Sequence, residues 1–424
     1  MLHIWNTSVR NLLLKGNFGL EKESLRIKSD GSMAHTPDPF TGNRNIVRDF
    51  CENQTEINTD IENSPEAVVS ALYEFTKEIQ RRVAKDDELL WPFSNPAFIK
   101  DENDIPIAVF DEEHRSSTLY RNSLSDRYGR YKMTLSGIHV NFSFADELLE
   151  EDFKLSSFKD FRSYKDALYL DLAAKLSIYG WIITVLTAAS PVLDSSYFEK
   201  GVKGKTTFCG MASVRCSELG YWNYFTPIFD FSSIENYADS IQKYVDQGLL
   251  KAPSELYFPI RLKPVGENTL ENFKNGISHI ELRMVDLNPL FKEGINIDDL
   301  RFIQLLLIYL VSKPKLDLSV REQVQAEQNF KSAAHYDLKT VKLITPEGNV
   351  RSIVVAALEL IREMKEYFSI FSGEVMRVLE FEEEKLIDPE KRYAWIIRRE
   401  YGDAFLSKGL ETSRSYQLEA LKNC

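Results

Sequence analysis

The sequence is poor in the residues that mark several common classes of protein. Its four cysteines include no C-x-x-C pair, and the spacing of Cys209 and Cys216 matches no common zinc motif. We therefore expect Cys51, Cys209, Cys216 and Cys424 to be reduced thiols in a cytoplasmic protein. A surplus of basic residues is also missing: the formal net charge is −12, which argues against a nucleic-acid-binding surface.

Targeting and phosphate-loop motifs are missing as well. The first residues lack the charged-then-apolar build of a signal peptide. Residues 176–193 carry no charge over 18 residues, but their polar members favour a buried core helix ended by Pro191, so we expect no membrane partner. The segment Gly201–Thr206 resembles a P-loop, yet Glu199 stands where that motif needs its first glycine. We predict a surface loop there.

A hydrophobic content of 43% is ample for a packed core. We predict an α+β fold with a mostly antiparallel sheet, in one domain spanning 1–424. Its sheet-rich catalytic part covers about 1–313, and a helical part covers about 314–424. In the first half of the chain we predict strands and turns over 17–59, a helix from Ser64 to about Leu90, turn and strand over 120–144 and a helical pair over 158–190. In the second half we predict strands near Tyr257 and His279, a buried helix over 303–312 and charged helices beyond Pro314. Residues 380–384 are predicted to be a solvated helix face.

Four short stretches, far apart in sequence, alternate apolar residues with groups that bind metal or phosphate. Residues i and i+2 of a strand project from one face, so each stretch aims two polar groups the same way. Taken singly, each is explained by the wet face of an antiparallel sheet, and an exposed pair such as Glu281 with Arg283 contributes under ~1 kcal/mol. The four stretches are Glu21–Glu23, His139–Asn141, Tyr257–Lys263 and Glu281–Arg283.

A fifth stretch places Glu52, Gln54 and Glu56 on one face, and it makes a simple solvent-exposed sheet face a weaker explanation for the whole set. Two carboxylates ~4 Å apart repel by roughly 4 kcal/mol at an effective dielectric of 20, so a cluster of carboxylates needs cations. Hard oxygen ligands select Mg²⁺ or Mn²⁺. The candidate carboxylates are Glu21, Glu23, Asp49, Glu52, Glu56 and Glu281.

His139 differs from the other histidines because Asn141 shares its face between apolar neighbours, whereas the others are expected to be packed or solvent-touching. Arg261 and Lys263 share a face that is suited to phosphate oxygens. Carboxylates for metal combined with cations for phosphate predict a phosphoryl-transfer site without a P-loop.

The chain resembles the bacterial-type glutamate–cysteine ligases, also called γ-glutamylcysteine synthetases. The resemblance covers roughly the first two-thirds of the chain, in the order of the family's motifs. The segments that carry it are GLEKESLRI at 19–27, DFCENQTEI at 49–57, TLYRNSLSDRYG at 118–129, SGIHVNFSF at 136–144, SVRCSELGYWN at 213–223, LYFPIRLK at 256–263 and GISHIELRMVDLNPL at 276–290.

The resemblance implies a fold similar to that of glutamine synthetase, with the active site on the concave face of a curved sheet. It implies two or three Mg²⁺ (or Mn²⁺) ions, ATP as co-substrate, and Arg283, Arg215 and Glu281 as catalytic residues. The implied metal ligands are Glu21, Glu23, Asp49, Glu56, His139 and Glu281. The implied substrate-binding residues are Phe50, Tyr120, Arg121, Arg215, Tyr221 and Tyr257, and those for ATP are Asn141, Arg261, Lys263 and Arg283.

The implied activity joins the γ-carboxylate of L-glutamate to the amine of L-cysteine through γ-glutamyl phosphate, as in the first step of glutathione biosynthesis. The length leaves no room for a fused glutathione-synthesising domain, so we expect the product to stop at the dipeptide. The Ile-Asn-Thr-Asp after Glu56 departs from the family pattern. Two alternatives stay open: a γ-glutamyl ligase for another amine, and an inactive nucleotide-binding regulatory homologue. We expect a monomer whose partners are only small molecules.

Overall fold

The computed structural model describes residues 2–198, 201–371 and 373–422. Its strands are β1 (Gly16–Lys28), β2 (Ile46–Arg48), β3 (Gln54–Asn58), β4 (Glu88–Leu90), β5 (Gly137–Phe144), β6 (Val192–Asp194), β7 (Thr206–Phe208), β8 (Ile260–Pro264), β9 (Ile277–Asp286), β10 (Lys342–Ile344) and β11 (Val350–Ser352). Its helices are α1 (Thr7–Leu12), α2 (Pro65–Val83), α3 (Arg115–Tyr128), α4 (Asp146–Phe153), α5 (Phe161–Tyr179), α6 (Trp181–Thr187), α7 (Ile234–Asp246), α8 (Ile297–Ser312), α9 (Val320–Ala333), α10 (Ile353–Tyr367), α11 (Gly373–Ile387), α12 (Tyr393–Tyr401) and α13 (Phe405–Lys422).

One antiparallel sheet brings the distant alternating stretches side by side. Among the described residues it has seven strands in the order β2-β3-β1-β5-β9-β8, and β4 pairs with the end of β1. Glu21 lies opposite His139, and Glu23 lies opposite Glu56. Because residues directly opposite each other share a face, one face of the sheet collects the polar members of every stretch. The predicted α+β fold with a mostly antiparallel sheet is confirmed.

The other face of the sheet is the hydrophobic core. The residues between the polar ones, such as Leu20, Val140 and Leu282, are buried in a single cluster. Helices α2, α5 and α6 pack directly on the strands, and α8 packs on those helices. The alternation of polar and apolar residues therefore fixes which face of each strand points to the core.

Several predicted helices are confirmed, with corrected ends. Ser64 caps α2 through its side chain as predicted, but the helix ends at Val83 instead of near Leu90 and is followed by β4. The helical pair over 158–190 is α5 and α6. Residues 176–193 are buried as predicted, apart from the half-buried Tyr179, yet they form no single helix, because the chain bends at Gly180 and α6 ends at Thr187.

The prediction of turn and strand is wrong for the start of 120–144, which is helix α3. That helix buries only Leu124 and Tyr128, so its apolar stripe is too short to show the helical period. The predicted solvated face at 380–384 is wrong for Glu382, which is 0% exposed and lies 2.8 Å from the ammonium of Lys385. The hairpin of β10 and β11 was not predicted.

Two other predictions concern the loop and the thiols. Residues 201–205 form a largely exposed loop, as predicted, while Glu199 lies outside the described residues. Cys51, Cys209 and Cys216 are free cysteines, and Cys424 also lies outside the described residues. Along the described chain, no single helix has the length and apolar character to cross a membrane, and α5 with α6 reaches it only as a pair bent by 57°.

Candidate active site

Three side chains from three adjacent strands converge at the middle of the polar face. Potential ligand atoms of Glu21, His139 and Glu281 all lie within 4.8 Å of one another. His139 Nδ1 lies 2.9 Å from Glu21 Oε2, and Asn141 donates to the other oxygen of Glu21 at 2.9 Å. The register between β5 and β9 shifts opposite His139, where two steps along β5, from Ile138 to Val140, face three along β9, from Val285 to Leu282.

Two cations flank the carboxylate of Glu281. Arg283 Nη1 donates to Glu281 Oε1 at 2.7 Å, and Lys263 Nζ lies 3.0 Å from Glu281 Oε2. Although burial favours the neutral acid, Arg283 and Lys263 hold the pKa of Glu281 well below its ordinary value. Glu281 is therefore a buried anion within a cationic surround.

The imidazole of His139 is held in the state that a metal ligand requires. Burial, together with Arg283, lowers the pKa of His139 to about 4, so the ring is neutral at pH 7. Its Nε2 is buried without a hydrogen-bond partner and lies 3.6 Å from Glu23 Oε1. A neutral ring with an orphaned nitrogen between carboxylates fits a divalent cation.

Three further predicted ligands lie beside the central cluster. Burial and Asp49 raise the pKa of Glu23 to about 8, and burial and Asp49 raise the pKa of Glu56 well above its ordinary value. Burial also raises the pKa of Asp49. The positive charges of Arg121 and Arg283 lower this pKa, but they offset only part of the effect of burial. These carboxylates favour protonation unless a cation joins them, so the donor set fits hard divalent ions. Among the described residues, only Glu21, His139 and Glu281 reach mutual ligand spacing.

Glu52, the sixth candidate carboxylate, does not join the others. It precedes β3, its two oxygens accept from Arg48 Nη1 at 3.1 and 3.0 Å, and it also accepts from the backbone of Asp38. The predicted shared face of Glu52, Gln54 and Glu56 is wrong for Glu52, because β-structure begins only at Gln54.

The other predicted arginines are anchored by backbone carbonyls. Arg215 Nη1 donates to the carbonyl of Arg283 at 2.8 Å, and Arg121 donates to the carbonyls of Asp49 and Arg48. Arg261 donates to the carbonyls of Ser254 and Leu256. The Nε atoms of Arg215 and Arg261 are buried without hydrogen-bond partners.

An aromatic wall stands beside the arginines. Tyr257 packs edge-on against Tyr221 at 5.1 Å and against Tyr128 at 5.3 Å. Tyr120 accepts from Ser254 Oγ at 3.1 Å, and Phe50 is buried in the same cluster. The predicted aromatic residues are therefore brought together.

Two cavities border the polar face. One of about 40 Å³ is lined by Arg215, Tyr221, Tyr257 and Arg283, and also by core residues that include Met284 and Phe330. The other, of about 210 Å³, is lined by Glu21, Asn141 and His279. Along β9 the first cavity lies at Arg283 and the second at His279, with Glu281 between them.

His279, which is predicted to be packed or solvent-touching, is half-buried, and its Nδ1 lies 3.1 Å from Ser278 Oγ. It lies on β9 two residues before Glu281 and opposite Lys263. Burial and Lys263 lower its pKa to about 4, so it is a neutral group beside the site.

The sequence profile of the glutamate–cysteine ligases matches residues 2–248 and 225–333. The chain belongs to the glutamate–cysteine ligase family. The match covers the strands of the sheet and the loops that carry Arg215 and the tyrosines. The family predicted from the motifs is therefore confirmed.

Individual relatives agree with the family. The chain is 35% identical over 400 residues to the glutathione biosynthesis bifunctional protein GshAB of Clostridium perfringens, covering 89% of this chain and 51% of that protein. It is 31% identical to the glutamate–cysteine ligase of Clostridium acetobutylicum, covering 79% and 80%. It thus spans about half the length of the first bifunctional relatives.

A solved structure supports the fold. The glutamate–cysteine ligase of Francisella tularensis, solved in complex with AMP, superposes with a TM-score of 0.85 over 96% of this chain and 89% of that one. The two sequences are 23% identical, so this likeness is evidence for the fold only.

Proposed function

We propose that this chain is an ATP-dependent ligase that joins the γ-carboxylate of L-glutamate to the amine of L-cysteine, giving γ-glutamylcysteine, ADP and phosphate. The observation that carries the proposal is the convergence of Glu21, His139 and Glu281 within 4.8 Å, flanked by Arg283 and Lys263. Membership of the glutamate–cysteine ligase family supports the same chemistry.

A carboxylate must be activated before an amine can attack it. An oxygen of the glutamate γ-carboxylate forms a bond to the terminal phosphorus of ATP, and the bond from that phosphorus to the ADP oxygen breaks. The ammonium of cysteine first gives one proton to solvent. The free amine then forms the C–N bond as the acyl–oxygen bond breaks, and the nitrogen gives its second proton to the leaving phosphate. The first step brings two anions together and the second builds negative charge on the acyl oxygen and the leaving phosphate, so fixed positive charge stabilises both.

Glu21, Glu23, Asp49, Glu56, His139 and Glu281 would hold the divalent ions. When bound, such ions neutralise the triphosphate and the carboxylate. Arg283 is held against Glu281 at 2.7 Å, so its charge is in place before substrate arrives and needs no reorganisation. Glu281 and Arg283 therefore have catalytic roles in the proposal.

In the proposal the two substrates bind at opposite ends of the polar face. Arg215 and Arg283 would bind glutamate and its transferring phosphoryl group at the cavity shared with Tyr221 and Tyr257. Phe50 and Tyr120 would complete the pocket for the incoming cysteine. Arg121 would hold Asp49 in position through the backbone carbonyl to which it donates. ATP would bind at the cavity that Asn141 lines, and Arg261, Lys263 and Arg283 would lie near its phosphates.

We also propose that 1–424 acts as one catalytic unit. Helix α13, near the end of the chain, packs on α2 and on β4, which pairs with the strand that carries Glu21 and Glu23. The buried Lys385 of α11 contacts Asp299 of α8 at 2.7 Å. The helical part is thus joined to the sheet-rich part by buried contacts. We expect a monomer.

The first experiment measures phosphate release from ATP with L-glutamate and Mg²⁺, with and without L-cysteine, and identifies the product by mass. Cysteine-dependent turnover to the γ-linked dipeptide supports the proposal. Turnover that needs glutamate but prefers another amine keeps the mechanism and changes the acceptor. ATP binding without turnover for any amine would leave the regulatory alternative.

A further inference from the structure

Asp286, the last residue of β9, is a buried carboxylate that the mechanism above does not use. It is 1% exposed. Its Oδ2 accepts from the backbone N–H of Ala189 at 2.9 Å and from Ser190 Oγ at 2.7 Å, and its Oδ1 accepts from Ser213 Oγ at 2.8 Å. A carboxylate with three well-formed hydrogen bonds is a rigid anchor.

These hydrogen bonds converge on the segment that carries Arg215. Ser213 lies two residues before Arg215, and its Oγ also accepts from the backbone N–H of Cys216 at 3.3 Å. Ser190 Oγ accepts from the backbone N–H of Val214 at 3.2 Å. The residues on both sides of Arg215 are therefore fixed, directly or through one hydroxyl, by Asp286.

The side chain of Arg215 returns to the same strand. Its Nη1 donates to the carbonyls of Arg283 at 2.8 Å and Val285 at 3.2 Å, the latter next to Asp286. Backbone and side chain of Arg215 are thus both held at one end of β9.

We propose that Asp286 is a positioning residue for Arg215: through Ser190 and Ser213 it fixes the loop that presents the guanidinium to the anionic substrate. The inference rests on the proposed function, in which Arg215 binds the glutamate. It adds a residue that contacts no substrate itself but sets the affinity for one.

The test is a double-mutant cycle of Asp286→Asn, Arg215→Lys and the double variant in the full chain. Glutamate affinity is measured by calorimetry with Mg²⁺ and a non-hydrolysable ATP analogue, and kcat and KM are measured for each substrate. We expect D286N to weaken glutamate binding by about 10-fold or more while KM for ATP stays within about twofold. In the R215K background the same change should have little further effect, because coupled residues are not additive.

Asp152 offers a matched control. It too is buried, and it accepts from the backbone N–H of His3 at 2.6 Å and from the hydroxyl of Tyr164 at 2.7 Å, on a different part of the molecule. Asp152→Asn should lower thermal stability and leave glutamate affinity unchanged. If D286N does not fold, Ser213→Ala removes one arm of the same anchor and should give a smaller effect of the same kind.

Additive effects of D286N and R215K, or equal losses for glutamate and ATP, would overturn the inference and leave Asp286 a stabilising residue only. If the wild-type chain binds glutamate but forms no dipeptide, the proposed function fails while the cycle on glutamate binding still decides the role of Asp286. Absence of glutamate binding by the wild-type chain would overturn both.

Discussion

Gly137 of β5 lies directly beneath the guanidinium of Arg215. A Cβ atom at position 137 would overlap the Cζ, Nη2 and Nε atoms of that side chain. The backbone N–H of Gly137 also donates to Glu23 Oε2 at 2.9 Å. Because Gly137 has no side chain, β5 fits between Arg215, a predicted substrate-binding residue, and Glu23, a predicted metal ligand.

Gly137→Ala is predicted to displace Arg215 and to lower kcat/KM for glutamate by roughly 100-fold, because a misplacement of about 1 Å can have that effect. Steady-state kinetics with varied glutamate measures it. Gly19→Ala is the matched control for stability, since a Cβ there would lie 3.6 Å from Asn141 Cβ with no overlap. Wild-type kinetics for G137A would show that Arg215 is not where glutamate binds.

Glu281→Gln is predicted to abolish most turnover, by at least about 100-fold, with the fold intact. The amide keeps the shape but removes the charge that Arg283 and Lys263 surround. Phosphate release and circular dichroism measure the two effects. Glu271→Gln, an exposed change of the same chemistry, should behave as wild type. Near-normal activity of E281Q would mean that the metal assignment is wrong.

Mg²⁺ is predicted to raise the melting temperature of the wild-type chain and to do so far less in His139→Gln. A ligand at 100 times its Kd stabilises by about 2.7 kcal/mol, and removing a ligand group lowers that affinity. Differential scanning fluorimetry across a Mg²⁺ titration, with excess EDTA as the metal-free reference, measures it. Equal shifts in both proteins would place the ion elsewhere.

Glu382→Gln is predicted to change how stability depends on pH. Burial and Asp299 raise the pKa of Glu382 well above its ordinary value, so the folded protein keeps a proton that the unfolded chain loses near pH 4.5. The wild type should therefore lose stability as pH rises above that value, by up to about 1.4 kcal/mol per pH unit, until the folded-state pKa is passed.

Urea unfolding at pH 5 and pH 8 measures this effect: relative to wild type, Glu382→Gln should be more stable at pH 8 than at pH 5. Glu384→Gln, on the same helix but in an exposed pair with Lys391, is the matched control and should follow the wild type. A parallel pH profile for E382Q and wild type would show that Glu382 is ionised in the fold.

Much of the site could be predicted because the alternation of polar and apolar residues along a strand shows which side chains share a face. Glu21, His139, Glu281 and Arg283 were selected by i, i+2 spacing between apolar neighbours, and the pairing of β1 with β5 and β5 with β9 brings them together. The same spacing failed for Glu52, which lies just outside the strand, and a turn residue follows no period.

Helix α3 could not be predicted by the same means. It turns only two residues, Leu124 and Tyr128, into the protein, and its remaining positions are polar. The burial of Glu382 was also unpredictable. Its cation Lys385 lies three residues further along α11, but the pair is buried only because α11 packs on α8, whose Asp299 also contacts Lys385. A glutamate among other glutamates indicates solvent until that packing is known.

The sequence by itself determined the family and the polar and apolar faces of the strands, and it supplied the side chains that we propose for metal and phosphate binding, because each depends on residues within short stretches. Only the tertiary structure decided that Glu21, His139 and Glu281 meet within 4.8 Å and that Glu52 stays apart. It alone also placed Asp286 against the loop of Arg215. The physical reason is that strand order and loop packing depend on contacts between residues far apart in the sequence, such as Glu21 with His139 and Ser213 with Asp286, and no local pattern encodes them.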